Sequence, residues 1–249
     1  MTQTEIEEYF LAKPLHKEAQ EYITTHSKRF AYLLDLVKNI RKDMGTESIK
    51  IMDVGPSFFT HLLQISFPED KIHTLGFTHP SSRGGHLPDF VEIPEETFFQ
   101  FDLNDSQYPE KWAKPEKCDL IIMGEVLEHL YTSPVHVLSF LRSFANKNAK
   151  CIIGTPNAVT LVRRLTLLLG KNPYENIRET RDNPGHFREY TVAELKDMGN
   201  KAGWTVSHFE IKNYFKAFSI KGRLFDSFVK YCLPRSFNTG IIIVYKNVD

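Results

Sequence analysis

The chain has 249 residues, 41% of them hydrophobic and 25% charged, which suits one large domain over 1–249 with one substantial core better than two small ones. Its 31 Lys and Arg balance 31 Asp and Glu, so no global field steers it onto nucleic acid or an anionic membrane, and a polyanion is not an expected partner. The widely spaced Cys118, Cys151 and Cys232, the acidic start MTQTEIEEYF, and the lack of any apolar run near the ~20 residues that span a bilayer point to a cytoplasmic protein without membrane insertion.

Over 17–42, Ala19, Ile23, Phe30, Leu34, Val37 and Ile40 recur at mostly helical spacing, which predicts an amphipathic helix within a helical cover spanning 1–45. Short apolar runs then follow at 49–54, 72–77, 98–101, 118–123 and 151–154, separated by polar or helix-like stretches. This alternation predicts βαβ units: a doubly wound α/β fold with a mostly parallel sheet and helices on both faces. Ser133 followed by Pro134 marks a helix start, with Val137, Leu138 and Leu141 as its stripe. The 158–190 segment reads as an insertion forming a lid or acceptor site. Within it, Arg163 and Arg164 flank leucines at 161–169, a pattern shared by membrane-binding helices and by a short lid helix packed on the sheet edge; the brevity favours the lid. Thr191 with Glu194 forms a capping box, and Gly203 can end that helix. Two more strands are expected at 204–211 and 240–246. The 212–237 insertion between them carries Tyr214, Phe215, Phe218, Phe225, Phe228 and Tyr231, better read as core or as a homodimer interface than as a platform for sugar.

In open α/β sheets ligands bind beyond the carboxyl ends of the strands. There the sequence offers Asp53-Val54-Gly55-Pro56-Ser57 after the first strand, Asp102 after the third, Glu125-Val126-Leu127-Glu128-His129 after the fourth and Thr155-Pro156-Asn157 after the fifth. With CDLIIMGEVLEHL, IIGTPN and GHFREYTVAELKDMGNKAGW, the stretch from about 49 to 211 resembles the class I S-adenosylmethionine (SAM)-dependent methyltransferases, in particular small bacterial enzymes that modify sugars and other small molecules. The resemblance implies a seven-stranded sheet whose last strand, 240–246, inserts antiparallel. It also implies SAM as cofactor, with Asp53 and Gly55 at the methionine end, Asp102 accepting from the adenine amino group, and Ser57 and Glu125 completing the contacts. Two departures stand out. Ser57 and Phe59 replace further glycines of the family loop, and Phe59 should hold the cofactor away. The second strand, ending Leu75-Gly76-Phe77-Thr78-His79, lacks the usual acid for the ribose hydroxyls.

Glu125, Glu128 and His129 fall at relative positions 1, 4 and 5, so a helical turn would bring Glu125 near both others, and the fold would return His186 to the same edge. The quartet resembles the metal set of enzymes that methylate the terminal ribose 2′-hydroxyl of small RNAs, where a divalent cation lowers the pKa of the attacking hydroxyl. Two carboxylates and two imidazoles suit magnesium poorly and manganese, iron or zinc better. Without metal, His186 is a candidate base, with His129 and Glu128 beside it. The plainer readings are a solvated helix face for 125–129, a helix cap for His186 and a turn cap for Asp102. The expected reaction is methyl transfer to a hydroxyl of a carbohydrate or other small molecule. The alternatives are metal-dependent methylation of an RNA ribose, opposed by the missing basic surplus, and a non-catalytic protein that keeps the fold.

Overall fold

A computed structural model describes residues 1–77, 88, 90–112, 114–179, 185–215 and 220–248. The strands β1 (Lys50–Val54), β2 (Lys71–Gly76), β3 (Phe98–Gln100), β4 (Cys118–Gly124), β5 (Ala145–Pro156), β6 (Thr205–Lys212) and β7 (Gly240–Lys246) form one sheet in the order β3-β2-β1-β4-β5-β7-β6. The pairs among β1 to β5 are parallel, and β7 runs antiparallel to both β5 and β6. The doubly wound sheet with an antiparallel last strand is the one the sequence predicts.

Central strands buried on both faces must be apolar at successive positions, and the two sets separate with a period of two. In β4, Leu120 and Ile122 join one core while Ile121 and Met123 join the other; in β7, Ile242 and Val244 oppose Ile241 and Ile243. The first core is closed by α1 (Gln3–Leu11), α2 (Lys17–Met44) and α3 (Phe58–Ser66), with Ile23, Phe30, Leu34 and Val37 of α2 as its buried stripe. The second is closed by α4 (Pro134–Ser143) and α6 (Val192–Lys201). As predicted, Ser133 caps α4 by accepting from Val135 N, and Thr191 with Glu194 boxes the start of α6. In α6, Gly199 faces the Tyr245 ring so closely that a Cβ would collide with it. The close approach offsets the cost of a helical glycine, about 1 kcal/mol relative to Ala.

One helix differs from expectation. The stretch after β1 continues into α3, whose start is hidden because Thr60 occupies the box position usually held by Glu or Gln. The remaining pair are α5 (Leu161–Leu168) and α7 (Ile220–Cys232). None of the residues of α5 is buried, while Leu161, Arg163 and Thr166 are half-buried. Thr78, His79, His86, Pro184, Phe218 and the side chain of Phe225 lie outside the described residues.

Candidate active site

Asp53 is buried at the end of β1, where its Oδ2 accepts from Thr60 Oγ1 at 2.6 Å. Thr60 Oγ1 in turn accepts from Ser57 N at 2.8 Å, while Ser57 Oγ accepts from Phe59 N at 3.2 Å and caps α3. Burial pushes the Asp53 carboxyl up to about 7, against the opposing pull of the Thr60 hydrogen bond. Gly55 has φ 82°, and a Cβ there would stand 2.9 Å from Val126 Cγ2, so the turn passes beside β4 only as glycine. Phe59 does not crowd the ligand side. Its ring turns into the core and stacks on Phe30 with centroids 5.7 Å apart, correcting the expectation that it holds the cofactor away.

Asp102 caps the short 3-10 turn Leu103–Gln107, its Oδ1 accepting from Asn104 N at 2.9 Å and Asn104 Nδ2 at 3.1 Å. Capping thus accounts for one carboxylate oxygen. Phe77, exposed after β2, stands near where the ribose acid would be sought, and the next two positions lie outside the described residues.

At the end of β4 the expected helical turn does not form. Glu125 takes φ 57°, a left-handed conformation uncommon for a side chain of this kind, and a 3-10 turn, Leu127–His129, follows. The Glu125 carboxylate therefore leaves the quartet and lies 3.4 Å from Arg29 Nη1 of α2. Glu128 is fully buried. Its Oε2 accepts from Thr155 Oγ1 at 3.0 Å, its Oε1 has no hydrogen-bond partner, and burial raises its carboxyl above the usual range. Its backbone carbonyl accepts from Phe187 N at 2.8 Å, which returns the segment carrying His186 to the sheet edge. His129 Nδ1 donates to Gly185 O at 2.9 Å and His186 Nδ1 to Glu189 Oε1 at 2.9 Å, leaving each Nε2 with its lone pair. The two rings meet edge to face, with centroids 4.8 Å apart. One ligand atom from each of Glu128, His129 and His186 lies within 4.8 Å of the others.

Three participants escaped the sequence reading. Glu189 is buried and held by Arg163, which also donates to Asn157 O at 2.5 Å. The three-residue spacing from His186 to Glu189 was the available signal. Arg29 sits within the α2 stripe, and its buried Nε has no hydrogen-bond partner; only an arginine at a core position of an amphipathic helix could have flagged it. A cavity of about 670 Å³ lies over the ends of β4 and β5, bounded by Glu125, Pro156, Thr160, Arg163, His186 and Glu189.

Residues 26–208 match the model of the methyltransferase domain family, well over half of the chain. The chain belongs to this family. Among solved structures, the methyltransferase is similar to magnesium protoporphyrin IX methyltransferase from Synechocystis with bound SAH, at 13% identity and TM-score 0.53, covering 98% of this chain and 99% of that one. It is also similar to a SAM-dependent methyltransferase from Archaeoglobus fulgidus, at 15% identity and TM-score 0.50, covering 86% and 94%. No curated protein matches it by sequence. Family and strand order together make it a class I SAM-dependent methyltransferase. The residues present fit that cofactor: a turn that admits only glycine opens beside a buried acid, and a buried guanidinium nearby has an N–H without a partner.

Proposed function

We propose that this methyltransferase acts on a hydroxyl of a sugar or other small molecule, with His186 removing the hydroxyl proton. The supporting observation is the His186–Glu189–Arg163 chain on the wall of the 670 Å³ cavity, a size that suits a small acceptor. Arg163 pairs with Glu189. Glu189 fixes the imidazole tautomer, so that Nε2 presents its lone pair. Burial, reinforced by neighbouring His129, lowers the pKa of His186 and keeps the ring neutral, the form that accepts a proton. Bound SAM supplies a methyl group on a cationic sulfur, which an aligned oxygen can displace in line. What the chain must do is align that oxygen, exclude water and accept the proton. Labelled methyl from SAM should appear in ether products when sugar nucleotides and other polyols are supplied. Label found only on amine or carbon acceptors would reject the hydroxyl assignment.

For the cofactor we assign Asp53, Gly55, Ser57, Glu125 and Arg29 to the methionine end and Asp102 to the adenine. Arg29 and Glu125 offer opposite charges to the carboxylate and ammonium of an amino acid. Replacing Asp102 with Ala should weaken SAM binding by about 1 to 3 kcal/mol, the cost of a buried donor losing its acceptor. Calorimetry gives the affinity directly, and an unchanged value removes Asp102 from the adenine site.

A second reading draws on the partnerless Oε1 of buried Glu128. With the Nε2 atoms of His129 and His186 it offers one carboxylate and two imidazoles, a donor set suited to manganese, iron or zinc. Both imidazoles are oriented through Nδ1 by an oxygen acceptor, the outer support that metal-binding histidines ordinarily have. Such an ion would hold the acceptor oxygen and lower its pKa. Glu125 is outside this set.

A further inference from the structure

A second cavity, of about 480 Å³, shares Asn172, His186 and Glu189 with the 670 Å³ cavity as lining. The imidazole assigned to the proton therefore stands where the two spaces adjoin. An acceptor whose hydroxyl reaches it from the larger space can carry a further part that occupies the smaller one.

Three apolar side chains of the smaller cavity remain partly exposed, Tyr174 at 38%, Ile177 at 62% and Phe187 at 36%. Two of them are rings held in place without a ligand. The Tyr174 hydroxyl donates to Ala158 O at 3.0 Å, its backbone N–H donates to Asn172 Oδ1 at 3.0 Å, and the Arg163 guanidinium carbon lies 5.4 Å from its ring centroid. Phe187 is anchored by its backbone N–H on Glu128 O, and its ring meets that of Tyr131 edge to face with centroids 5.8 Å apart. Rings fixed in advance lose little freedom when a ligand covers them.

The charged groups of this lining cancel. Glu175 Oε1 accepts from Arg178 Nε at 2.7 Å, Glu194 Oε1 accepts from Arg188 Nη2 at 2.5 Å, and Glu189 is paired with Arg163. Each carboxylate among the described lining residues thus has a guanidinium partner, and neither a phosphate nor an ammonium group would meet an uncompensated opposite charge. The same pairs keep N–H groups and oxygen lone pairs to spare for neutral hydroxyls. Rings bordered by such groups match an occupant with a C–H face and a hydroxyl rim, which is the surface of a sugar ring. A wholly apolar occupant would use the rings and leave the polar border idle.

We propose that the smaller cavity is a subsite for a second, neutral sugar ring, so that the acceptor is a neutral saccharide of two or more rings and not a free monosaccharide or a nucleotide sugar. The inference rests on hydroxyl methylation at His186, and the experiment separates the two. Labelled SAM is supplied with neutral methyl glycosides of single sugars, neutral disaccharides of the same sugars, their phenyl glycosides and nucleotide sugars, and kcat/KM for ether formation is compared. A disaccharide should exceed its component monosaccharides by about tenfold or more, chiefly through KM, as contacts equal in ground and transition state require. In Phe187→Ala this advantage should shrink to within about twofold, whereas Phe187→Tyr, which keeps the ring, should retain it; unchanged SAM affinity shows that both variants fold. Ether products formed equally well from one ring or two, an advantage that survives Phe187→Ala, or a preference for phenyl glycosides or nucleotide sugars would overturn the subsite and leave the reaction standing. Absence of ether product from every compound would reject the reaction and the subsite with it.

Discussion

His186→Ala should lower the methylation rate by about 100-fold or more while leaving SAM affinity within about twofold, the pattern of a group that acts in the chemical step and not in cofactor binding. The loss amounts to roughly 2.7 kcal/mol of transition-state stabilisation. Glu189→Gln tests the same chain one step back. An amide can donate to Nδ1, which favours the tautomer with Nε2 protonated and unable to accept, so a fall of about 10- to 100-fold is expected, as for other residues that orient a functional imidazole. Chelation separates the two mechanisms. A metal-held hydroxyl needs the ion at every turnover, so activity would vanish with chelator and return with added manganese; an imidazole base works without it. If substitution of His186 and chelation both leave the rate with a verified acceptor unchanged, the proton leaves by another route and the assignment to this cluster is wrong.

The fold was legible because its central strands are buried on both faces and stand out as short apolar runs, and because Ser133-Pro134 and Thr191 with Glu194 mark helix starts by side-chain chemistry. The site was legible in part. Spacing alone placed Glu125 with Glu128 and His129, but that inference assumed an α-helical turn, and the left-handed backbone at Glu125 sends its carboxylate to Arg29 instead. Nothing in 125–129 announces that conformation. It accompanies a junction where β4 ends beside the glycine turn of β1, a tertiary circumstance. The return of His186 followed from topology, whereas its support by Glu189 and Arg163 depended on a loop geometry that periodicity does not describe. The amphipathic pattern of α5 was visible in the sequence, but that none of its residues is buried depends on tertiary packing that periodicity does not describe.

The stability of Asp53→Asn relative to wild type should depend on pH, rising from acid to mildly alkaline solution. In the unfolded chain Asp53 ionises near 3.8; in the native protein burial raises this to about 7. The native state therefore holds the proton more tightly. The stability this gives is fully present below about 3.8 and is lost as pH rises through about 7, at roughly 1.4 kcal/mol per pH unit within that window. Asparagine never ionises and can still accept from Thr60 Oγ1, so it escapes the loss. The gap in unfolding free energy between variant and wild type should widen by about 2 to 3 kcal/mol between pH 5 and pH 8, and change little at more alkaline values. Urea titrations across that range measure it, and a gap independent of pH would mean that Asp53 is ionised throughout in the native protein. A carboxylate that weakens its own fold at neutral pH needs another use, and the site proposed here supplies one. Once ionised, Asp53 faces the turn assigned to the cationic methionine end of SAM, where its charge is compensated. The stabilised variant should accordingly bind SAM more weakly than wild type at pH 8, and bound SAM should recover in the wild type part of the stability lost to ionisation. Equal SAM affinity in the two proteins at pH 8 would separate Asp53 from the cofactor and leave its burial a purely structural cost.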